Sequence, residues 1–222
     1  MDQALHKMPA ELALDVGLDF ARQVAGGDIA AHPWTRAAAH RFQHDLAAAS
    51  KPDSVWTFDR TRALRPLAIA ADMRPLLDVL DLTPWRAWVV AATFGFVARD
   101  TGVRRIRQAT ALTDNPAAHV ALVAALALST TFCEGSKGGE AVASPVVFDV
   151  ARRMVGAHRG EGLRETFHVR VAEGDEVIAQ EGTSAALRSS RSDGVGFDLL
   201  GADAGDMQVT FAEPEGRFFA WT

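Results

Sequence analysis

The sequence predicts an α/β fold in which an N-terminal helical region, residues 1–101, precedes a parallel-sheet core, residues 102–222. Two observations lead to this fold class. Apolar residues recur at helical spacing through the first hundred residues, and a strand–loop–helix–strand–helix order follows Gly102, which is typical of parallel sheets. The length of 222 residues suits one domain, or one domain with an appendage, and is sufficient for a buried core.

The first two helices are predicted from apolar spacing and from their end signals. One helix covers residues 8–24, because a single apolar stripe lies along it: Leu12, Val16, Phe20 and Val24. The Gly26-Gly27 pair ends this helix, since glycine readily adopts the left-handed conformation of a helix end. A second helix begins at Pro33, a favoured first-turn residue, and runs to about Ala49.

Two further helices complete the N-terminal region. The third covers about residues 59–81, and Pro66 and Pro75 are expected to kink or split it. The fourth covers residues 84–97, because Thr83 is a good N-cap and proline is favoured in the first turn.

The second part of the chain alternates strands and helices. A strand over residues 103–112 precedes a buried helix that begins near Ala117, and a strand over residues 140–143 precedes a helix over residues 145–157. This βαβ order predicts parallel strands. Further strands are predicted over residues 166–171, 176–180, 183–189, 206–214 and 217–221. The Gly/Asp-rich residues 191–206 are predicted to form a loop.

Charge and cysteine content exclude several classes of protein. The net charge of −5 disfavours nucleic-acid binding through bulk positive charge. Cys133 is the single cysteine, so neither an intrachain disulfide nor a multi-thiolate zinc site can form, and a reducing compartment is expected. The N-terminus lacks the pattern of a secretory signal, and the most apolar stretch, residues 117–128, is too short to span a bilayer. We therefore expect a cytoplasmic protein.

Motifs for metal ions and nucleophiles are absent from the sequence, which contains no CxxC, HExxH or GxSxG. His40 and His44 lie four residues apart, on one helix face, with His32 nearby. No carboxylate completes a recognisable metal motif with them. The sequence therefore predicts solvated helix residues at these positions and no metal ion.

The densest basic cluster consists of Arg99, Arg104, Arg105 and Arg107. Residues 105 and 107 would share one face of the strand, because side chains alternate along it. Two interpretations stay open. Arg104, Arg105 and Arg107 contact nucleic acid, or they line a solvated or ligand-adjacent sheet edge.

The loop over residues 113–119 lies where a nucleoside triphosphatase wraps phosphates with a glycine-rich segment. Such a loop supplies backbone N–H groups, a lysine, and a Ser/Thr hydroxyl that holds Mg²⁺. The loop here contains neither glycine nor lysine, and Pro116 removes one N–H donor. Asp114 adds a negative charge where phosphates would approach. The loop therefore has the location of a nucleotide site without its chemical groups.

Several segments share an order and spacing with a known family: residues 19–46, WTFD at residues 56–59, LTPWRAW with FGF and TGVRRIR at residues 82–107, VFDVARRMV at residues 147–155, and the stretch from Gly182. In these segments, and over about residues 15–216, the chain resembles the N-terminal ATPase part of tailed-phage terminase large subunits, the motors that package DNA into capsids. The resemblance implies a P-loop NTPase-like parallel-sheet core. It also implies ATP and Mg²⁺ as cofactors, and as partners terminase, portal or small-subunit proteins and DNA.

The chain departs from the family at the positions that bind phosphate and Mg²⁺ in the family. The resemblance places a degenerate nucleotide site at Trp85, Arg86, Asn115, Ala117, Ala118 and His119. Where the family has a phosphate-binding lysine and a Mg²⁺-binding hydroxyl, this chain has Ala118 and His119. Ala212 replaces the metal aspartate, and Glu213 remains as a vestigial general base. Because phosphoryl transfer depends on the missing groups, no bound cofactor is expected.

Three functional interpretations follow from the resemblance. The chain is a catalytically inactive pseudo-ATPase that acts by binding proteins in a phage or prophage DNA-packaging context. Alternatively, it is an active or split ATP-driven packaging subunit, or a decayed prophage fragment without function. The family continues with a nuclease domain beyond the point where this sequence stops, so a truncated ATPase-like core is expected.

Overall fold

The protein's structure is a computed structural model that describes residues 9–73, 82–112, 116–131, 140–157, 167–172, 175–180, 185–190, 197–200 and 204–212. The chain forms two compact units. The first comprises residues 1–68, 82–115 and 203–222, and the second comprises residues 69–81 and 116–202. Both units are therefore built from segments distant in sequence, and the boundary expected at residue 101 stays a prediction.

The predicted helices of the N-terminal region are present, and their ends are formed by the predicted residues. Helix α1 covers Ala10–Gly26 and helix α2 covers Pro33–Ala49. Gly27 ends α1 in the left-handed conformation, with φ of 85°, and its N–H returns to the last turn. His32 caps α2, because its Nδ1 accepts a hydrogen bond from the backbone N–H of Trp34 at 3.3 Å.

Helix α3 covers Arg60–Met73 of the described residues, and helix α4 covers Pro84–Gly95. Pro66 lies inside α3 and is buried, and residues 74–81, which include Pro75, lie outside the described residues. Helix α4 ends at Gly95, before the predicted Val97, because the chain turns there into a strand. A Cβ atom on Gly95 would lie within van der Waals overlap of the Phe58 ring, so only glycine permits this close approach.

The first unit contains a four-stranded sheet. Its strands are β1 (Trp56–Phe58), β2 (Phe96–Ala98), β3 (Arg104–Leu112) and β9 (Ala204–Ala212), in that order across the sheet. Strands β1, β2 and β3 pair antiparallel, whereas β3 and β9 pair in parallel. Gly102, with φ of 68°, makes the turn between β2 and β3.

The second unit contains a five-stranded sheet and two helices. The helices are α5 (Pro116–Ser129) and α6 (Pro145–Ala157). The strands are β4 (Glu140–Ala143), β5 (Phe167–Ala172), β6 (Asp175–Gln180), β7 (Ala186–Ser189) and β8 (Phe197–Leu200). Their order is β5-β6-β7-β4-β8, and β4 runs parallel to β7 but antiparallel to β8.

The predicted P-loop NTPase-like parallel-sheet core is therefore wrong. Strands β3 and β4, expected to be parallel neighbours, belong to different sheets, and five of the seven strand pairings in the described residues are antiparallel. The elements follow the predicted order of strand, helix, strand and helix, but the order of elements does not determine which strands pair with each other. The loop predicted over residues 191–206 is also wrong in part, because β8 and the start of β9 lie within it.

Aromatic rings form the centre of the first unit. Phe42 of α2 meets Phe58, Trp88 and Phe96 edge to face, with ring centroids 6.0, 6.2 and 5.7 Å apart. Phe20 of α1 adds a further contact to Trp88. Edge-to-face pairs at these separations stabilise a core beyond the area they bury.

Helix α5 is the buried helix that the sequence predicts. Most of its described side chains are inaccessible to solvent, among them Leu122, Ala125 and Leu128. Neither α5 nor any other helix in the described parts of the chain is long and apolar enough to cross a membrane.

We predict that Gly17→Ala destabilises the protein, although alanine favours helices. A Cβ atom on Gly17 would lie 2.7 Å from the backbone nitrogen of Trp88, so α1 and α4 would have to separate, at a cost of about 1–3 kcal/mol. Urea unfolding measures the change. Gly26→Ala in the same helix is the control, because its Cβ would meet nothing closer than 3.5 Å. Equal stabilities of the two variants would contradict this account of the contact.

We predict a low pKa for the Asp19 carboxyl. Hydrogen bonds from the Arg22 guanidinium, and then from the Gln23 amide, lower the pKa of Asp19 below its usual range. Because the folded pKa is below the unfolded one, the contribution to stability is present above the unfolded pKa. It is lost as the pH falls through the folded pKa. Carbon NMR titration should show Arg22→Gln raising the pKa of Asp19, whereas Arg153→Gln, at a separate ion pair with Asp149, leaves it unchanged.

Candidate functional site

The carboxyl ends of β3 and β9 meet at one edge of the first sheet. Leu112 pairs with Ala212 and Ala111 with Phe211, so both strands end at the same level. These are the two strands that the family resemblance associates with nucleotide motifs. At the position where the resemblance places a metal-binding aspartate, this chain has Ala212, whose methyl group cannot ligate Mg²⁺. Asn115 and Glu213 lie outside the described residues, and their roles stay predictions.

The Trp85-Arg86 pair lies in the first turn of α4. Thr83 caps this helix, and its Oγ1 accepts a hydrogen bond from the Arg86 N–H at 3.3 Å. Only 3% of Trp85 and 4% of Arg86 are exposed. The indole Nε1 of Trp85 is buried without a hydrogen-bond partner in the described part of the chain, whereas Arg86 has interactions of its own. Both side chains therefore contribute to the interior of the first unit.

The remaining predicted nucleotide residues lie in the first turn of α5, in the second unit. Ala117 is exposed, and the side chain of Ala118 lies outside the described set. His119 is half-buried and engaged in an interaction of its own. Pro116 begins the helix without an N–H group. This turn has neither the cation nor the hydroxyl that would neutralise and orient a phosphate.

Arg99 of the basic cluster closes the end of α2. Its guanidinium donates hydrogen bonds to the carbonyl oxygens of Ala49, Lys51 and Ser54, at 2.7, 3.1 and 2.9 Å. The last carbonyls of a helix have no partner within the helix, so Arg99 satisfies groups that would otherwise need water. Its role here is structural.

Arg105 is held between an acid and two rings. Its Nη1 lies 3.2 Å from Oδ2 of Asp45, and its guanidinium lies 5.7 Å from the ring centroids of both Trp56 and Phe96. The side chains of Arg105 and Asp45 are 15% and 8% exposed. Arg41 donates to the same carboxylate from the solvent side. The ion pair therefore joins α2 to β3 inside the first unit.

Arg104 is also engaged by the protein itself. Its Nε donates to the carbonyl of Ile106 at 3.0 Å, and its guanidinium lies 4.9 Å from the ring centroid of Phe94. The side chain of Arg107 lies outside the described set. Contact of Arg104, Arg105 and Arg107 with nucleic acid stays a prediction.

Asp45 is the residue that sequence reasoning missed. The buried positions of α2 are Thr35, Ala39, Phe42, Asp45 and Ala49, which follow the spacing of a helix face. A carboxylate in the middle of an otherwise buried stripe signals a partner from another element. That periodicity could have identified Asp45, but it could not have named Arg105.

Within the described ranges, no three His, Cys, Asp or Glu side chains converge on a point where they could hold a metal ion. Comparisons with protein-family models, curated proteins and solved structures give no match. The family resemblance therefore rests on the sequence segments alone.

We predict that Asp45 and Arg105 are energetically coupled. Asp45→Asn leaves the Arg105 charge buried without its acid and should cost about 3–5 kcal/mol. Arg105→Met should cost less, because Arg41 still pairs with Asp45. The double variant should show a coupling energy of about 0.5–3 kcal/mol in urea unfolding.

The matched control for this cycle is the Asp15–Arg60 pair. Its atoms are closer, at 2.7 Å, but its side chains are 60% and 52% exposed. An exposed pair is worth about 0–1 kcal/mol, so Asp15→Asn and Arg60→Gln should have small and additive effects. A coupling at Asp45–Arg105 as small as that of the control would mean that the buried pair is not a structural link.

Proposed function

We propose that the chain is a terminase-large-subunit-like protein that does not hydrolyse ATP and that acts in the cytoplasm by binding a protein of a phage or prophage DNA-packaging machinery. The proposal rests on the ordered segments of the sequence that resemble this family. The lack of ATP hydrolysis is inferred from the residues that replace the family's phosphate-binding and metal-binding groups. Ala118, His119 and Ala212 stand where a lysine, a hydroxyl and a metal-binding aspartate would be needed.

The observation that carries the proposal is the register of β3 and β9. Because Leu112 pairs with Ala212, the strand before the predicted phosphate loop ends beside the strand before Glu213. The loss of the aspartate at Ala212 therefore falls at the sheet edge from which the predicted phosphate loop departs. A general base at residue 213 would have no metal ion beside it to neutralise phosphate charge.

The surroundings of the basic cluster favour a protein partner over DNA. Arg99 and Arg105 direct their guanidinium groups to carbonyls and to a buried carboxylate of the same unit. Phosphate contacts dominate affinity for DNA and need available cations. Together with the net charge of −5, this favours a protein partner.

We predict that the purified full chain does not hydrolyse ATP above background, with or without double-stranded DNA. Glu213→Ala should leave that background unchanged, because the phosphate and metal ligands are already missing. Phosphate release measures turnover, and calorimetric titration with Mg-ATP measures binding. Turnover that Glu213→Ala abolishes would refute the proposal and favour an active or split packaging motor.

The binding half of the proposal has a separate experiment. Representative terminase, portal and small-subunit proteins of tailed phages are purified singly and titrated against the chain by biolayer interferometry. We expect one of these proteins to bind the chain. We also expect the chain alone to unfold cooperatively, as a folded domain does. No binding by any of them would refute a packaging partner and favour a decayed fragment.

A further inference from the structure

His40 and His44 form an exposed pair on α2. The two residues are one helical turn apart, which places their Cβ atoms about 5–6 Å from each other. Both are exposed, and His44 presents 78% of its side chain to solvent. Two imidazoles at this spacing on one helix face can bind a single metal ion, as in the two-histidine part of helical zinc motifs.

The carboxylate absent from the sequence motif lies beside this pair. Oδ1 of Asp45 is 3.5 Å from Nδ1 of His44. A carboxylate at one ring nitrogen is the usual second-shell partner of a metal-binding histidine, because it orients the ring and leaves the other nitrogen available. Nε2 of His44 is therefore the nitrogen free to bind a metal ion.

Asp45 is suited to this role because its own position is constrained. It is buried, and Arg105 and Arg41 hold both of its oxygens. Arg41 is the nearest positive charge in the sequence to both histidines, and its pairing with Asp45 offsets the repulsion that it would exert on a cation. The anchored carboxylate thus supports one ring of the pair.

We propose that His40 and His44 form a surface site for a borderline divalent transition-metal ion, with water in the remaining coordination positions. Imidazole ligands suit Zn²⁺, Ni²⁺ and Cu²⁺ and disfavour Mg²⁺ and Ca²⁺, which prefer oxygen. By the general order of stability, Cu²⁺ binds more tightly than Ni²⁺ or Zn²⁺. The site is independent of the degenerate nucleotide positions.

Calorimetric titration of the full chain with CuCl₂, ZnCl₂ and MgCl₂ tests the site. We expect one Cu²⁺ or Zn²⁺ to bind and Mg²⁺ not to bind, with affinity lost on acidification, because the ligands must be deprotonated. His40→Ala and His44→Ala should each weaken binding about 10-fold or more, because each removes a direct ligand and the loss of an outer-shell partner alone typically costs about 10–100-fold. Circular dichroism verifies that the variants are folded, which is expected at exposed helix positions.

The matched control keeps the number of histidines and changes only their spacing. In His44→Ala with Ala47→His, the two rings lie seven residues apart, about 10.5 Å along the axis, too far to share an ion. Conversely, His44→Ala with Arg36→His restores the four-residue spacing one turn earlier, at a position that is also exposed. We expect the first variant to stay weak and the second to regain binding in part, without the Asp45 partner.

Electron paramagnetic resonance of the Cu²⁺ complex gives a second readout. Splitting by two equivalent imidazole nitrogens is expected in the wild-type chain, and by one in either alanine variant. If wild type and both alanine variants bind Cu²⁺ with equal affinity and the same spectrum, the ion binds elsewhere and the proposal is wrong. Full binding by the seven-residue spacing variant would overturn it as well.

Discussion

The burial of helix α4 is the constraint on which the first unit depends. Ten of its twelve residues are inaccessible to solvent, so neighbours must cover it on nearly every side. Helix α1 approaches so closely that Gly17 faces the backbone of Trp88, and α2 supplies Phe42 against the Trp88 ring. Removing this much apolar surface from water provides the main driving force for folding, and it determines where the small residues must lie.

The same packing explains the surroundings of Arg104 and Arg105. Strand β3 packs against α4, and Arg105 reaches α2, so these two side chains meet aromatic rings and a carboxylate. Arg105 satisfies Asp45, and Arg104 covers Phe94. A charge that is taken out of water needs such partners, because an unpaired buried charge would cost several kcal/mol. On the exposed face of α2, His40 and His44 are accessible to solvent. On its buried face, Asp45 pairs with Arg105 and so links the helix to β3.

Much of the secondary structure could be predicted from the sequence. Helices α2 and α6 have their predicted bounds, and α1 begins and ends within two residues of them, because capping residues, prolines and helical periodicity are local signals. Strands β4 and β6 were also located within a residue. The three-residue strands β1 and β2 were missed, because so short a segment has no readable alternation and depends on the pairing of Trp56 with Ala98.

The same distinction between local and long-range information applies to the candidate site. The sequence predicts, through the resemblance, that alanine, histidine and alanine stand where a nucleotide site needs a lysine, a hydroxyl and an aspartate, because residue identity determines which chemistry is possible. It could not show that Trp85 and Arg86 are buried, or that Arg99 closes α2, since these depend on segments distant in sequence. Nor could it foresee that Asp45 would lie beside His44 while pairing with Arg105.

Local signals, namely capping residues, prolines and side-chain spacing, therefore determined where most helices begin and end and where the longer strands lie. Only the tertiary structure decided how the strands pair, placing β3 with β9 in one mixed sheet and β4 with β7 and β8 in another. The physical reason is that a strand's backbone groups accept any neighbour of suitable register. The choice is made by long-range burial and loop closure, which the order of elements does not encode.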